Sequence, residues 1–140
     1  WSTPMAFAAQ TNSLPLELWV IFSAVVCWTI AFDTYYAMVD REDDLRIGIK
    51  STAILFGRYD LLIIGLLQLA VVILLVIAGM LFGRGLIYFT GLAVAAGYFI
   101  NQYLVSRGRD RDACFKAFLS NHRVGMIIFI GLAGDYLLNP

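Results

Sequence analysis

Charged residues are scarce in this 140-residue chain: Asp, Glu, Lys and Arg together make up 14% of it, against roughly 25% in ordinary soluble domains. A basic excess is lacking too. Ten basic residues balance ten acidic ones, for a formal net charge of +0, which leaves nothing for a row of phosphate contacts and excludes nucleic acid. Two cysteines, Cys27 in an apolar run and Cys114 in a charged segment, cannot build a disulfide scaffold, and packing suits both better than reactivity. No glycine-rich phosphate loop, Ser-His-Asp set or His-Glu metal motif occurs. What fills the chain is apolar: 61% of residues are hydrophobic and the mean hydropathy is +0.80. A small soluble domain cannot bury so much. Soluble enzymes, secreted disulfide domains and disordered tails are excluded, and a membrane protein remains.

A helix needs about 20 mainly apolar residues to cross a hydrocarbon core. Four such spans are expected, at 17–39, 61–82, 86–105 and 124–138, the last one short and carrying Asp135 near its far end. Runs this long do not alternate as barrel strands do, so the predicted class is all-α, a polytopic membrane bundle forming a single domain over 1–140. Residues 1–16 carry no charge and begin at Trp1 without a basic leader. WSTPMAFAA therefore reads as the end of a fifth span, and the chain as the C-terminal part of something longer. Basic residues concentrate in two expected loops, 40–60 with Arg41, Arg46, Lys50 and Arg58, and 106–123 with Arg107, Arg109, Arg111, Lys116 and Arg123. Four alternating spans put both loops on one side, which the positive-inside rule makes cytoplasmic. Within the second loop, RDACFKAFLS at 111–120 has the spacing of a short interfacial helix.

Five of the ten acidic residues fall within 33–44: Asp33, Asp40, Glu42, Asp43 and Asp44. If the first span continues as one helix, Asp40 and Asp44 each lie about 20° from Asp33 around the axis, and Tyr36 about 60° away. Three like charges on one stripe repel unless something positive fills it. Oxygen ligands with no His or Cys nearby suit Mg²⁺, Ca²⁺ or Mn²⁺, and Mg²⁺ joins one or two carboxylates to substrate phosphates. Lys50, Arg46 and Arg41, just downstream, are placed to contact such phosphates. A charge run beside a span is ordinarily a solvated face, and Glu42 and Asp43 read equally well that way. Asp33, at membrane depth, does not, because an intramembrane acid is a functional candidate by default. His122, Arg123 and Asp135 read as interfacial residues, and Gln68, Asn101 and Gln102 as hydrogen-bonding partners between helices.

At these residues the chain resembles the UbiA superfamily of intramembrane aromatic prenyltransferases, in its 4-hydroxybenzoate polyprenyltransferase branch. The stretch DTYYAMVDREDDLRIGIKSTAILFG, residues 33–57, looks like the family's second aspartate-rich motif and the IKSTA segment after it. PMAFAA at 4–9 and ACFKAFLSN at 113–121 are similar to the same branch. The resemblance implies a nine-helix fold in the bacterial inner membrane, with Mg²⁺ as cofactor. It also implies transfer of a polyprenyl group from polyprenyl diphosphate to the ring of 4-hydroxybenzoate, in ubiquinone biosynthesis. It assigns the metal and catalytic roles to Asp33, Asp40 and Asp44, and substrate contacts to Tyr36, Lys50 and Arg46. The family's first acidic motif is absent from these residues and is expected upstream of Trp1, in a missing N-terminal half that would act as partner to this one.

Three other readings compete. A UbiA-type enzyme with a different acceptor would show the same stripe. A CDP-alcohol phosphotransferase would need Asp-Gly and Ala-Arg pairs ahead of Asp40, and neither is there. A cation transporter could use Asp33, Asp40 and Asp44 as an ion site, but such sites lie near the bilayer midplane, whereas this cluster falls at a helix end.

Overall fold

The computed structural model describes residues 1–138, and every regular element among them is helical. In chain order these are α1 (Ser2–Thr11), α2 (Leu16–Val39), α3 (Arg41–Ile47), α4 (Thr52–Phe56), α5 (Asp60–Leu81), α6 (Leu86–Val105) and α7 (Arg111–Leu138). Single 3-10 turns, Gly57–Tyr59 and Ser106–Gly108, lead into α5 and follow α6. Three of the helical stretches, Leu16–Val39, Thr52–Leu81 and Arg111–Leu138, are long and apolar enough to cross a membrane. α6 occupies the remaining expected span with 20 uncharged residues, its apolarity diluted by three tyrosines, Asn101 and Gln102.

Two expectations are corrected. The segment 106–123 is not a loop holding a separate interfacial helix: α7 runs unbroken from Arg111 to Leu138 over 28 residues. Long basic side chains such as Lys116 and Arg123 lie on a helix at the membrane boundary at little cost, because their stems cover apolar surface while the charge reaches water. The segment 40–60 is likewise mostly helical, folding into α3, α4 and the 3-10 turn before α5.

The four long helices form one bundle in which α2 packs on α5 and α7, and α6 on α7 and α5. Its apolar contacts gather in two clusters. One, around Tyr35, Ile64, Cys114 and Ala117, lies at the end bearing the charged segments; the other, around Val71, Ala95, Phe99 and Val124, lies deeper. Both cysteines are free, with Cys114 fully buried. Outside the bundle Leu66, Leu86, Phe129 and Ile130 are all more than half exposed, as they must be where the surrounding solvent is lipid.

Polar and small residues tie the helices. Gln68 Nε2 donates to Gln102 Oε1 at 2.9 Å, and Gln102 Nε2 to Ser120 Oγ at 2.7 Å, a buried chain across α5, α6 and α7. Two of the three expected interhelical amides are thus paired, while Asn101 is exposed. α6 and α7 cross where Gly91 meets Gly131: a Cβ on Gly131 would lie 3.2 Å from the Gly91 Cα. Close backbone approach through small residues replaces the hydrophobic driving force that lipid removes. Asp135, expected at the membrane interface, is fully buried and accepts a 2.8 Å hydrogen bond from the Gly85 N–H. Burial of a carboxylate requires such partners.

Candidate functional site at the charged end of the bundle

The C-terminus of α2, the N-terminus of α5, the C-terminus of α6 and the N-terminus of α7 meet at one end. Both basic segments are therefore at the same end, as their charge pattern requires. Ion pairs join them directly.

α2 presents Asp33 and Tyr36 on an exposed face. Beside them lie rings from two helices: Tyr36 is 5.2 Å from Phe118, Phe32 is 6.0 Å from Phe118, and Phe115 stacks on Phe118 at 6.3 Å. Among the described residues Asp33 has no hydrogen-bond or ion-pair partner. A carboxylate unpaired among the described residues thus stands on a membrane-spanning helix whose neighbouring positions Phe32 and Tyr36 join a ring cluster with Phe118 of α7. The face is apolar in build and acidic at one point.

One helical stripe does not continue through Asp44. At Asp40 the backbone leaves helical geometry, with φ −94° and ψ 4°, and α3 begins at Arg41. The N–H of Asp44 still reaches the Asp40 carbonyl at 2.8 Å, so α3 follows as a bent continuation. Asp40 is half-buried and lies 3.8 Å from Arg111, which also approaches Asp43 at 3.5 Å. Asp44 is half-buried and unpaired among the described residues, which nowhere bring three acidic, His or Cys side chains together as a metal cage. The donor chemistry fits Mg²⁺, being oxygen alone. Its number does not make a closed site, and suits an ion that shares its shell with phosphate oxygens and water.

The expected substrate-binding cations are placed differently from one another. Arg46 pairs with Asp43 at 3.6 Å, one turn apart on α3, and both are well exposed. Gly48, at φ +76°, ends α3, and Lys50 follows, exposed and without a charged partner among the described residues. Arg41 turns away from the acidic stripe and lies 3.2 Å from Asp60. His122 is exposed and its Nδ1 contacts the Leu119 carbonyl.

Asp60 is the residue that sequence reasoning missed. Its side chain is fully buried and is met by two guanidinium groups. Arg109 donates from Nε at 3.0 Å and from a terminal nitrogen at 2.8 Å to Oδ1, and Arg41 donates at 3.2 Å to Oδ2. The same Arg109 nitrogen reaches the Arg58 carbonyl at 2.8 Å. The Asp60 hydrogen bonds hold the Arg109 pKa above its ordinary value. Arg109 also sits at φ 54°, a left-handed conformation that costs a non-glycine residue roughly 1–2 kcal/mol. The one sequence signal was an acid at the entrance to an uncharged span. A cavity of about 360 Å³ opens beside this cluster, lined by Met38, Val39, Arg41, Glu42, Arg109 and Arg111 among others.

A model of the UbiA prenyltransferase family matches residues 1–130. The 4-hydroxybenzoate octaprenyltransferase of Cronobacter sakazakii is 61% identical over 137 residues, covering 98% of this chain and 47% of that protein. Those of Pectobacterium carotovorum subsp. carotovorum and Aeromonas salmonicida are 59% and 56% identical, covering 94% and 99% of this chain and 46% and 48% of their own lengths. The chain spans about half the length of the curated relatives it matches. No solved structure matches.

Proposed function

The chain belongs to the UbiA prenyltransferase family, and on that premise we propose that it supplies the second acidic half-site of an enzyme that transfers a polyprenyl group from polyprenyl diphosphate to the ring of 4-hydroxybenzoate, as a step toward ubiquinone. The acceptor and the prenyl group are those in the relatives' shared name, 4-hydroxybenzoate octaprenyltransferase, and the diphosphate donor is what the family resemblance implies. The observation that carries the reading is Asp33: a carboxylate unpaired among the described residues, exposed on a membrane-spanning helix that also carries Phe32 and Tyr36, both in ring contact with Phe118.

Asp33, Asp40 and Asp44 would hold Mg²⁺ together with diphosphate oxygens and carboxylates from outside this chain. Bound there, the metal would supply positive charge against the departing diphosphate. Lys50, and Arg46 once released from Asp43, would hold phosphate oxygens, with the Tyr36 hydroxyl a further donor. The allylic C–O bond breaks with its electron pair leaving on the diphosphate, the ring carbon beside the hydroxyl forms the new C–C bond, and that carbon then loses its proton. Phe32, Tyr36, Phe115 and Phe118 present ring faces that favour a cation and keep water from quenching it. The membrane is the bacterial inner membrane, with the charged end cytoplasmic.

Prenylation of 4-hydroxybenzoate is to be assayed in membranes containing this chain with and without the rest of the protein, in Mg²⁺ and in EDTA. Metal-dependent product with both parts present supports the reading. No product from well-inserted whole protein with any prenyl donor overturns it.

A further inference from the structure

We propose that Asp60 is a positioning residue for Asp40, holding in place both the backbone and the counter-charge of that carboxylate. The proposal rests on the reading of Asp40 as a metal-binding acid. Asp40 lies where α2 breaks, and two things fix it. One is Arg41, the next residue, whose guanidinium is anchored 3.2 Å from the buried Asp60 carboxylate. The other is Arg111, 3.8 Å from Asp40, which follows Arg109 by two residues in the turn into α7. Arg109 is locked to Asp60 through two nitrogens.

Asp60 thus grips the two segments that bear on Asp40, α3 through Arg41 and the α6–α7 turn through Arg109. The left-handed backbone at Arg109 persists because those bonds and the one to the Arg58 carbonyl over-determine it. Asp60 itself, fully buried and saturated by guanidinium donors, is not available to a metal. Its effect is exerted through the two arginines. By engaging both Arg41 and Arg109 it holds their guanidinium groups on itself and leaves Arg111 as the one cation in ion-pair contact with Asp40 among the described residues, so an arriving Mg²⁺–diphosphate has a single guanidinium to displace. Residues that orient a ligand from behind in this way typically change metal affinity or activity by about 10–100-fold when altered.

The test uses the whole protein, with Mn²⁺ as a paramagnetic probe titrated in the presence of a non-reactive prenyl diphosphate analogue. Asp60→Asn keeps the shape and removes the charge, and Arg109→Lys keeps a charge and removes the two-nitrogen grip. Both are expected to weaken Mn²⁺ binding about 10–100-fold and to raise KM for prenyl diphosphate while leaving KM for the aromatic acceptor unchanged. Asp60→Glu is expected to restore part of the loss. Gln102→Leu, in the buried amide chain, serves as a control for lost stability alone. If Asp60→Asn does not fold, Arg109→Lys decides. Mn²⁺ affinity no weaker than in a Gln102→Leu protein of equal thermal stability, or an equal rise in both KM values, overturns the positioning role. If Asp40→Asn retains full Mn²⁺ affinity, the reading of Asp40 falls first, and that outcome is distinct from a failure at Asp60.

Discussion

The carboxylate of Asp135, deep in the last turns of α7, accepts a hydrogen bond from the Gly85 N–H at the start of α6, 2.8 Å away. Arg84, one residue earlier, stands 3.9 Å from the same carboxylate and lies over the Tyr136 ring. The acid therefore meets the positive end of the α6 dipole and a guanidinium together, at the end of the bundle opposite the acidic stripe. Replacing it by Ala strands the Gly85 donor, a loss of about 1–3 kcal/mol. Asp135→Ala is expected to lower the thermal midpoint in detergent, and Asp135→Asn, which keeps an acceptor, to lower it less. An unchanged midpoint for Asp135→Ala would contradict the capping role.

Asp40→Asn in the whole protein is expected to remove most prenyl transfer while insertion and thermal stability stay close to the parent. Asp40 is half-buried at the helix break with Arg111 as its ion partner, so the amide fits but no longer draws a divalent cation. Turnover near the parent value at saturating Mg²⁺ would rule it out as a metal ligand.

Lys50→Ala is expected to raise KM for prenyl diphosphate several-fold, with KM for the aromatic acid unmoved. The basis is an exposed ammonium with no charged partner among the described residues, just beyond the glycine that ends α3. Steady-state kinetics with each substrate varied in turn decide it. Equal shifts in both constants would place Lys50 away from the diphosphate.

Gly131→Leu is expected to cost about 1–3 kcal/mol through overpacking. Its Cβ would lie 3.2 Å from the Gly91 Cα, with the Ile87 and Tyr88 carbonyls at 3.6 Å, and backbone cannot step aside as a side chain can. Gly97→Leu, on the partner helix α6, meets nothing within 4 Å at its Cβ and is expected to be tolerated. Thermal unfolding of the pair separates crossing from mere glycine content, and equal midpoints would show that α6 and α7 do not depend on this approach.

The parts of this molecule that were legible in the sequence are those written in consecutive residues. Long apolar runs give α2, α5 and α6 because backbone polar groups must be satisfied within the segment, and Asp33 stands out as a carboxylate within one. Angular projection placed Asp44 on Asp33's stripe only by assuming an unbroken helix, and the departure at Asp40 is a tertiary effect with no composition of its own. α7 was cut short in prospect because Lys116, His122 and Arg123 look like loop residues, though a helix carries them readily at a membrane boundary. Asp60 was invisible for a different reason: its main partner is 49 residues away, and no local pattern announces a contact of that range. Asp135 was misplaced likewise, its Gly85 partner lying 50 residues back.

The origin of the Asp60 cluster in α3, α5 and the α6–α7 turn has a consequence in time. Arg41 and Asp60 are separated by 19 residues, whereas Arg109 follows Asp60 by 49. At synthesis rates of about 5–20 residues per second, roughly 2–10 s pass between the making of Asp60 and of Arg109. During that interval the carboxylate has one guanidinium instead of two, at the mouth of a freshly inserted span. Closure of the cluster waits for the α6–α7 turn, so both guanidinium groups hold Asp60 only once α6 has been made.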